Sequence, residues 1–228
     1  MPHRDYRRVM RTGQIALFPL GMVVVPGAIV PLHIFEPRYR VLVDELVARA
    51  DDQSDPVGFG VVAIRLGRET GVDGVQALHA IGCFAQLRAV QPYDDGRYDV
   101  VCVGTRRFRL LDLDATGVYP RGQVQWLAEA GGDRVDHHDA TARNLFIRYR
   151  EALGLEPFDD ADDPRALSYA ITTETILTPS DRQSLLEAPD DATRLHMGAA
   201  LLSREIALWE ALRSVPDVES AREPIALN

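Results

Sequence analysis

His33 and Glu36 stand three residues apart in Pro31-Leu32-His33-Ile34-Phe35-Glu36-Pro37, a spacing open to a metal pair or a general acid–base couple. No third residue with metal-ligand spacing accompanies them. A structural reading competes: Glu36 caps a helix opening at Pro37, while Arg38 or Arg40 pairs with a nearby acid. His137-His138-Asp139 has ligand-like composition but lies in a charged stretch without cysteine or another histidine nearby, which suits a solvated loop. Arg106, Arg107 and Arg109 flank Phe108, and strand alternation puts Arg107 and Arg109 on one face. Guanidinium groups beside a ring can hold a nucleic-acid backbone or an acidic peptide, or pair structurally with the surplus aspartates. Phe35 and Tyr39 either anchor a helix to a sheet or form an aromatic lip for an extended peptide. Cys83 and Cys102 sit in apolar runs without C-x-x-C spacing, so they read as buried free thiols of a reducing compartment.

Missing residues exclude more than the present ones suggest. All 25 basic residues are arginine, set against 34 acids for a net charge of −9. Without lysine there is no phosphate-binding loop of the G-x-x-x-x-G-K-[ST] kind, no Schiff base and no Ser–Lys nucleophile pair. The acidic balance argues against a sequence-independent grip on nucleic acid. Gly60, Gly67, Gly71 and Gly74 do not form a dinucleotide fingerprint, and Ser168, Ser180, Ser184 and Ser203 lack a G-x-S-x-G elbow. No metal and no cofactor is expected.

The elements that must position these side chains fall into two halves. Gln14–Leu20, Ala28–Phe35, Gly58–Ile64, Gln76–Val90, Arg97–Val103, Arg107–Leu113 and Tyr119–Leu127 read as strands, about seven in all, which should curl into a barrel-like sheet. Asp94-Asp95-Gly96 supplies a tight turn. A helix from Pro37 to Ala50 carries Tyr39, Leu42, Val43, Leu46 and Ala50 at helical spacing. The stretch from Thr12 to Phe35 lacks acids and arginines, yet Pro19, Pro26 and Pro31 make it two strands around a turn rather than a membrane helix. A cytoplasmic protein is expected.

Gly131-Gly132 opens a charged linker to helices at Thr141–Gly154 (with Leu145, Tyr149, Ala152 and Leu153 on one face), Pro164–Leu177, Ser180–Ala188 and Asp191–Arg213. Ser180 and Gln183 fit a capping box, and Leu195, Ala199, Leu202, Ile206 and Trp209 form a packing stripe. The expected division is an arm over 1–13, a β-rich unit over 14–130, a linker over 131–140, a helical bundle over 141–213 and a loose tail over 214–228.

Phe18-Pro19-Leu20-Gly21, Pro26-Gly27 and the string Pro31-Leu32-His33-Ile34-Phe35-Glu36-Pro37-Arg38-Tyr39-Arg40 resemble the amino-terminal domain of the ATP-dependent Lon protease. Asp95-Gly96-Arg97-Tyr98 and Gly104-Thr105-Arg106-Arg107-Phe108-Arg109 continue the likeness, which runs from about Gln14 to Leu212. The resemblance implies an α+β fold: a β-rich PUA-like pseudo-barrel with one helix, followed by a helical bundle, as also found in the Lon-like domain of cereblon. It further implies a stand-alone, non-catalytic module for unfolded or extended polypeptides, working with a separate protease or chaperone. The ATPase and peptidase machinery would be missing, since both need lysine. The peptide-binding residues expected on this basis are Phe35, Arg38, Tyr39, Arg107, Phe108 and Arg109. The alternative, by fold analogy with PUA domains, is an RNA-binding module using Arg106, Arg107 and Arg109 with the N-terminal arginines.

Overall fold

The computed structural model describes residues 11–50, 56–67, 75–158 and 163–213. Most of the expected arm, residues 51–55, Gly71 and Gly74, residues 159–162 and the expected tail from 214 lie outside the described residues. The fold is α+β, with strands β1 (Thr12–Leu20), β2 (Ile29–Ile34), β3 (Gly58–Gly67), β4 (Val75–Leu78), β5 (Ile81–Pro92), β6 (Tyr98–Asp114) and β7 (Arg121–Trp126). Helix α1 (Pro37–Ala50) lies between β2 and β3, and α2 (Val135–Leu153), α3 (Pro164–Glu174), α4 (Pro179–Glu187) and α5 (Asp191–Arg213) follow the sheet.

Strand order β1-β7-β6-β5-β3 returns to β1, because β1 changes partner along its length. Thr12–Ala16 pairs antiparallel with β7 and Leu17–Leu20 pairs parallel with β3, closing a five-stranded ring. Closure leaves no edge within the ring. The interior is filled by Leu17, Val62, Phe108 and Val124. Gly60 and Gly82 make room for the Phe108 ring, which lies 2.8 and 2.6 Å from where their Cβ atoms would be. β2 adds to the first half of β6, and β4 turns back along β3.

Two expected strand boundaries differ. Arg97–Val103 and Arg107–Leu113 are one 17-residue strand, β6, with an extra residue at Thr105 where pairing steps from Ala85–Gly104 to Phe84–Arg106. Gly104 looks like a strand break in sequence, but here it passes under the Val25 carbonyl, 2.1 Å from its would-be Cβ, so the strand bends rather than stops. Conversely, Gln76–Val90 is broken at His79-Ala80, where β4 ends and β5 begins. The turn at Asp94-Asp95-Gly96 is as expected: Tyr93 and Arg97 close it, and Gly96 has φ +79°.

α1 lays Tyr39, Leu42, Val43 and Leu46 on the outer face of the sheet, against Val30, Ile34, Phe59, Val61, Cys83 and Cys102. Burial pushes both thiols up to about 12, so they are packing groups without nucleophilic character. In the helical half, α2 starts at Val135, six residues before Thr141, so His137-His138-Asp139 is helix rather than loop. Its buried face is Ala142, Phe146 and Tyr149, with Leu145 and Leu153 partly covered. α3 ends at Glu174, short of Leu177. The cap of α4 is Thr178, whose hydroxyl accepts from the Asp181 amide at 3.1 Å, with Pro179 in the first turn. Gln183 is not a capping partner; it is buried, and its amide donates to the Ile81 carbonyl at 3.1 Å. Leu195, Ala199, Leu202 and Ile206 bury the stripe of α5, whereas Trp209 is exposed.

Barrel and bundle meet at Val23, Val25, Ala63 and Ile81 on one side and Tyr169 and Leu186 on the other. A buried polar network joins them. Arg107, 2% exposed, donates to the two oxygens of Glu129 at 2.9 and 3.2 Å and to the carbonyls of Leu186 and Ala188 at 2.8 and 2.6 Å. Arg194 pairs with Asp191 at 2.9 Å, donates to Ser168 and the Leu185 carbonyl, and lies 4.2 Å over the Tyr169 ring. The Tyr169 hydroxyl donates to Glu129 at 3.0 Å. Arg107 thus has carboxylate and carbonyl oxygens at Nε, Nη1 and Nη2, the condition under which buried charge is tolerated, whereas Arg194 is held through Nε and Nη1 and its buried Nη2 makes no hydrogen bond. Among the described residues no helix is long and apolar enough to cross a membrane.

Candidate functional site

The Glu36-Pro37-Arg38-Tyr39 corner ends β2 and starts α1. Proline suits the first helical position because its missing N–H would have no partner there, and the Glu36 carbonyl accepts from Tyr39 and Arg40, both at 3.0 Å. The Glu36 carboxylate holds Arg38 at 2.9 Å, so the helix start carries its own ion pair. The Arg38 guanidinium lies 4.6 Å over the Tyr39 ring, and that ring stacks on Phe18 at 4.1 Å. Burial pushes the Tyr39 phenol up to about 12, against the pull of the Arg38 guanidinium, so Tyr39 stays a neutral stacking surface.

Across from this corner runs the β6–β7 connection. Asp114 fixes its turn by accepting from the Thr116 amide at 2.9 Å and hydroxyl at 2.6 Å. The chain then presents Val118, 64% exposed, before Tyr119 turns inward. Between corner and hairpin lies a cleft of about 380 Å³, lined by Pro19, Arg38, Tyr39, Leu113, Val118 and Tyr119 among others. It adjoins a second depression of about 420 Å³ along Ala77–Ala80 and Leu110–Leu113, and Leu78 and Leu113 line both. Leu111 is also exposed, at 51%. β4 beside this groove pairs only with β3 among the described residues, leaving its outer edge open.

Of the residues expected to bind peptide, Arg38 and Tyr39 line the cleft and Phe35, 52% exposed, stands just before it. Arg107 and Phe108 do not belong to a binding surface: Arg107 is buried under the bundle and Phe108 fills the barrel. Arg109 is exposed on β6, apart from the residues lining the cleft. Burial of Arg107 also removes the middle of the cationic face that an RNA-binding module would use, and Arg4, Arg7 and Arg8 lie outside the described residues.

His33 and Glu36 are not coupled to each other. His33 Nδ1 is 2.6 Å from Asp99, whose other oxygen accepts from Tyr93 at 2.5 Å, while Glu36 is paired with Arg38. These two bonds hold the Asp99 carboxyl below the usual range. The rings of His137, His138 and His196 approach within 5.5 Å, yet among the described residues no group of histidines, cysteines and acids is placed to hold a metal. Sequence reasoning missed Leu78, Leu113 and Val118. The available signal was leucine at Leu111 and Leu113 near the end of an otherwise alternating strand.

The family model described as the ATP-dependent protease La (LON) substrate-binding domain matches residues 14–204. Lon protease 2 of Syntrophobacter fumaroxidans is 23% identical over 90% of this chain and 26% of that protein. Lon protease 2 of Sorangium cellulosum is 26% identical over the same shares. The chain thus spans about a quarter of the length of these relatives. The crystal structure of a Lon N-terminal domain protein from Xanthomonas campestris superposes with a TM-score of 0.62 at 26% identity, covering 82% of this chain and 98% of that one. The N-terminal domain of the Mycobacterium avium complex Lon protease shares the fold, with a TM-score of 0.59 at 20% identity over 87% of this chain and 98% of that one.

Proposed function

We propose, since this chain belongs to the LON substrate-binding domain family, that it is a non-catalytic module capturing extended polypeptide in the cleft between the α1 corner and the β6–β7 hairpin. The observation that carries this reading is the joined apolar groove, with Leu111, Leu113 and Val118 left in solvent beside the open edge of β4. An extended segment laid there would gain main-chain hydrogen bonds from the edge and apolar contact from the groove, a mode with little sequence demand. Arg38 offers the charged end of the groove, and its Nε is buried without a hydrogen-bond partner. Phe35, exposed just before the corner, is a secondary contact, and the Tyr39 ring supports Arg38. The absence of lysine supports a role in binding rather than in ATP hydrolysis or Ser–Lys proteolysis. A separate protease or chaperone would receive the client.

The test is a fluorescence titration of a labelled, permanently unfolded polypeptide with the protein and its Val118→Asp and Leu113→Asp variants. Saturable binding by the parent and a loss of about tenfold in each variant are expected, in line with a charge placed on an apolar contact. A folded parent that fails to bind at about 50 µM, or variants that bind as tightly as the parent, would refute the reading.

A further inference from the structure

A second cavity, of about 410 Å³, lies under the C-terminal half of α1 and is separated from the cleft by Tyr119, which lines both. Its chemistry is different. Arg49 from α1, Arg106 from the bent part of β6 and Arg121 from β7 all line it, and Glu45 is the only acid among its described lining residues. Glu45 is already engaged: it accepts from the Tyr119 hydroxyl, and Arg121 donates to that hydroxyl at 2.8 Å while lying 3.8 Å from Glu45. Arg49 and Arg106 make no ion pair among the described residues. The described lining residues therefore carry two positive charges in excess within a chain of net −9.

Its walls add a second requirement. The Arg106 guanidinium is stationed 4.6 Å over the Trp126 ring, and Trp126 meets Phe84 edge-on at 5.7 Å. A guanidinium over a ring keeps its in-plane N–H donors for an oxyanion, with less freedom to lose on binding. A phosphate monoester carries a charge of about −1.5 to −2 at neutral pH, matching the excess. The aromatic wall and Arg106 suit a flat ring. Glu45 and the amides of Gln14 and Gln86 suit a ligand with hydroxyl or amino donors. The size fits a small organic ligand.

We propose that this cavity binds a nucleoside monophosphate, with the phosphate against Arg49 and Arg106, the base along the Trp126–Phe84 wall and a ligand O–H or N–H on Glu45. This site is separate from the polypeptide cleft and stands or falls independently of it. The Trp209→Phe variant of the full chain leaves Trp126 as the sole tryptophan, so its emission reports the cavity during titration with adenosine monophosphate, adenosine and inorganic phosphate. Saturable quenching by adenosine monophosphate is expected, with adenosine and phosphate each about tenfold weaker or more. Arg106→Gln and Arg49→Gln, introduced singly in that background, should each weaken binding by about tenfold with the urea midpoint little changed. No saturable change up to about 10 mM nucleotide in folded protein would overturn the proposal. So would phosphate or adenosine binding as tightly as the nucleotide, or both arginine variants binding like the parent.

Discussion

Arg106 and Arg107 are neighbours in sequence and opposites in use. Arg107 lies in the seam between barrel and bundle, with Glu129 and two helix-end carbonyls on its donors. Arg106 lies over Trp126 in a cavity whose described lining carries more arginines than acids. A single step along a strand reverses the face, and the two faces of β6 meet different surroundings. Identity of side chain therefore says little about role here; the number of acceptors already in place says more. Where they are present and dry, the cation is structural, and where they are missing beside an aromatic wall, the cation is available.

Substitution at the two positions should break or sharpen that contrast. Arg107→Ala takes the guanidinium donors from the carbonyls of Leu186 and Ala188 and leaves Glu129 with the Tyr169 hydroxyl but without its ion-pair partner, and is expected to lower stability by about 3–5 kcal/mol, read from urea unfolding. A loss below about 1 kcal/mol would mean that the apolar contacts of Tyr169 and Leu186 hold the seam by themselves.

A smaller effect is expected at the linker side of the same seam. Asp190 accepts from the Thr193 amide at 2.7 Å at the start of α5, so Asp190→Ala should cost about 0.5–2 kcal/mol. That bond holds the Asp190 carboxyl below its usual range, so its contribution is present above the unfolded value of about 3.9 and disappears as pH falls through the lower folded value. Melting temperature should accordingly hold steady from about pH 7 to 5 and drop below about pH 4, with a shallower acid limb in Asp190→Ala.

The smallest effect is at Arg106. Arg106→Gln removes an exposed cation–π contact and should change stability by no more than about 1 kcal/mol, whatever it does to ligand binding. A loss as large as that of Arg107→Ala would erase the distinction between the two arginines.

Periodicity carried much of the architecture. The α1 stripe of Tyr39, Leu42, Val43 and Leu46 is buried as spaced, and the long α5 stripe is buried through Ile206. Boundaries failed where a local signal had a tertiary meaning. Gly104 marks a bulge under Val25 and not a strand end, and the histidine pair at 137–138 belongs to the first turns of α2. At the site, Arg38 and Tyr39 were legible because they sit in the corner string itself. Leu78 and Val118 were not, since one comes from the end of β4 and the other from the β6–β7 turn, and only barrel closure brings them together. Arg107 was the reverse case: its partners Leu186 and Ala188 are about eighty positions away, beyond any local pattern.

Closure by the first strand also sets an order of events. β1 takes its antiparallel partner from Arg121–Gln125 and its parallel partner from Gly60–Ala63, so the ring cannot shut until residue 125 has left the ribosome. Until then β1 has half its hydrogen-bonding ladder unmet, and the nascent chain carries an open strand of the sort other polypeptides pair with. Synthesis itself thus passes through a stage in which this binder is itself bindable.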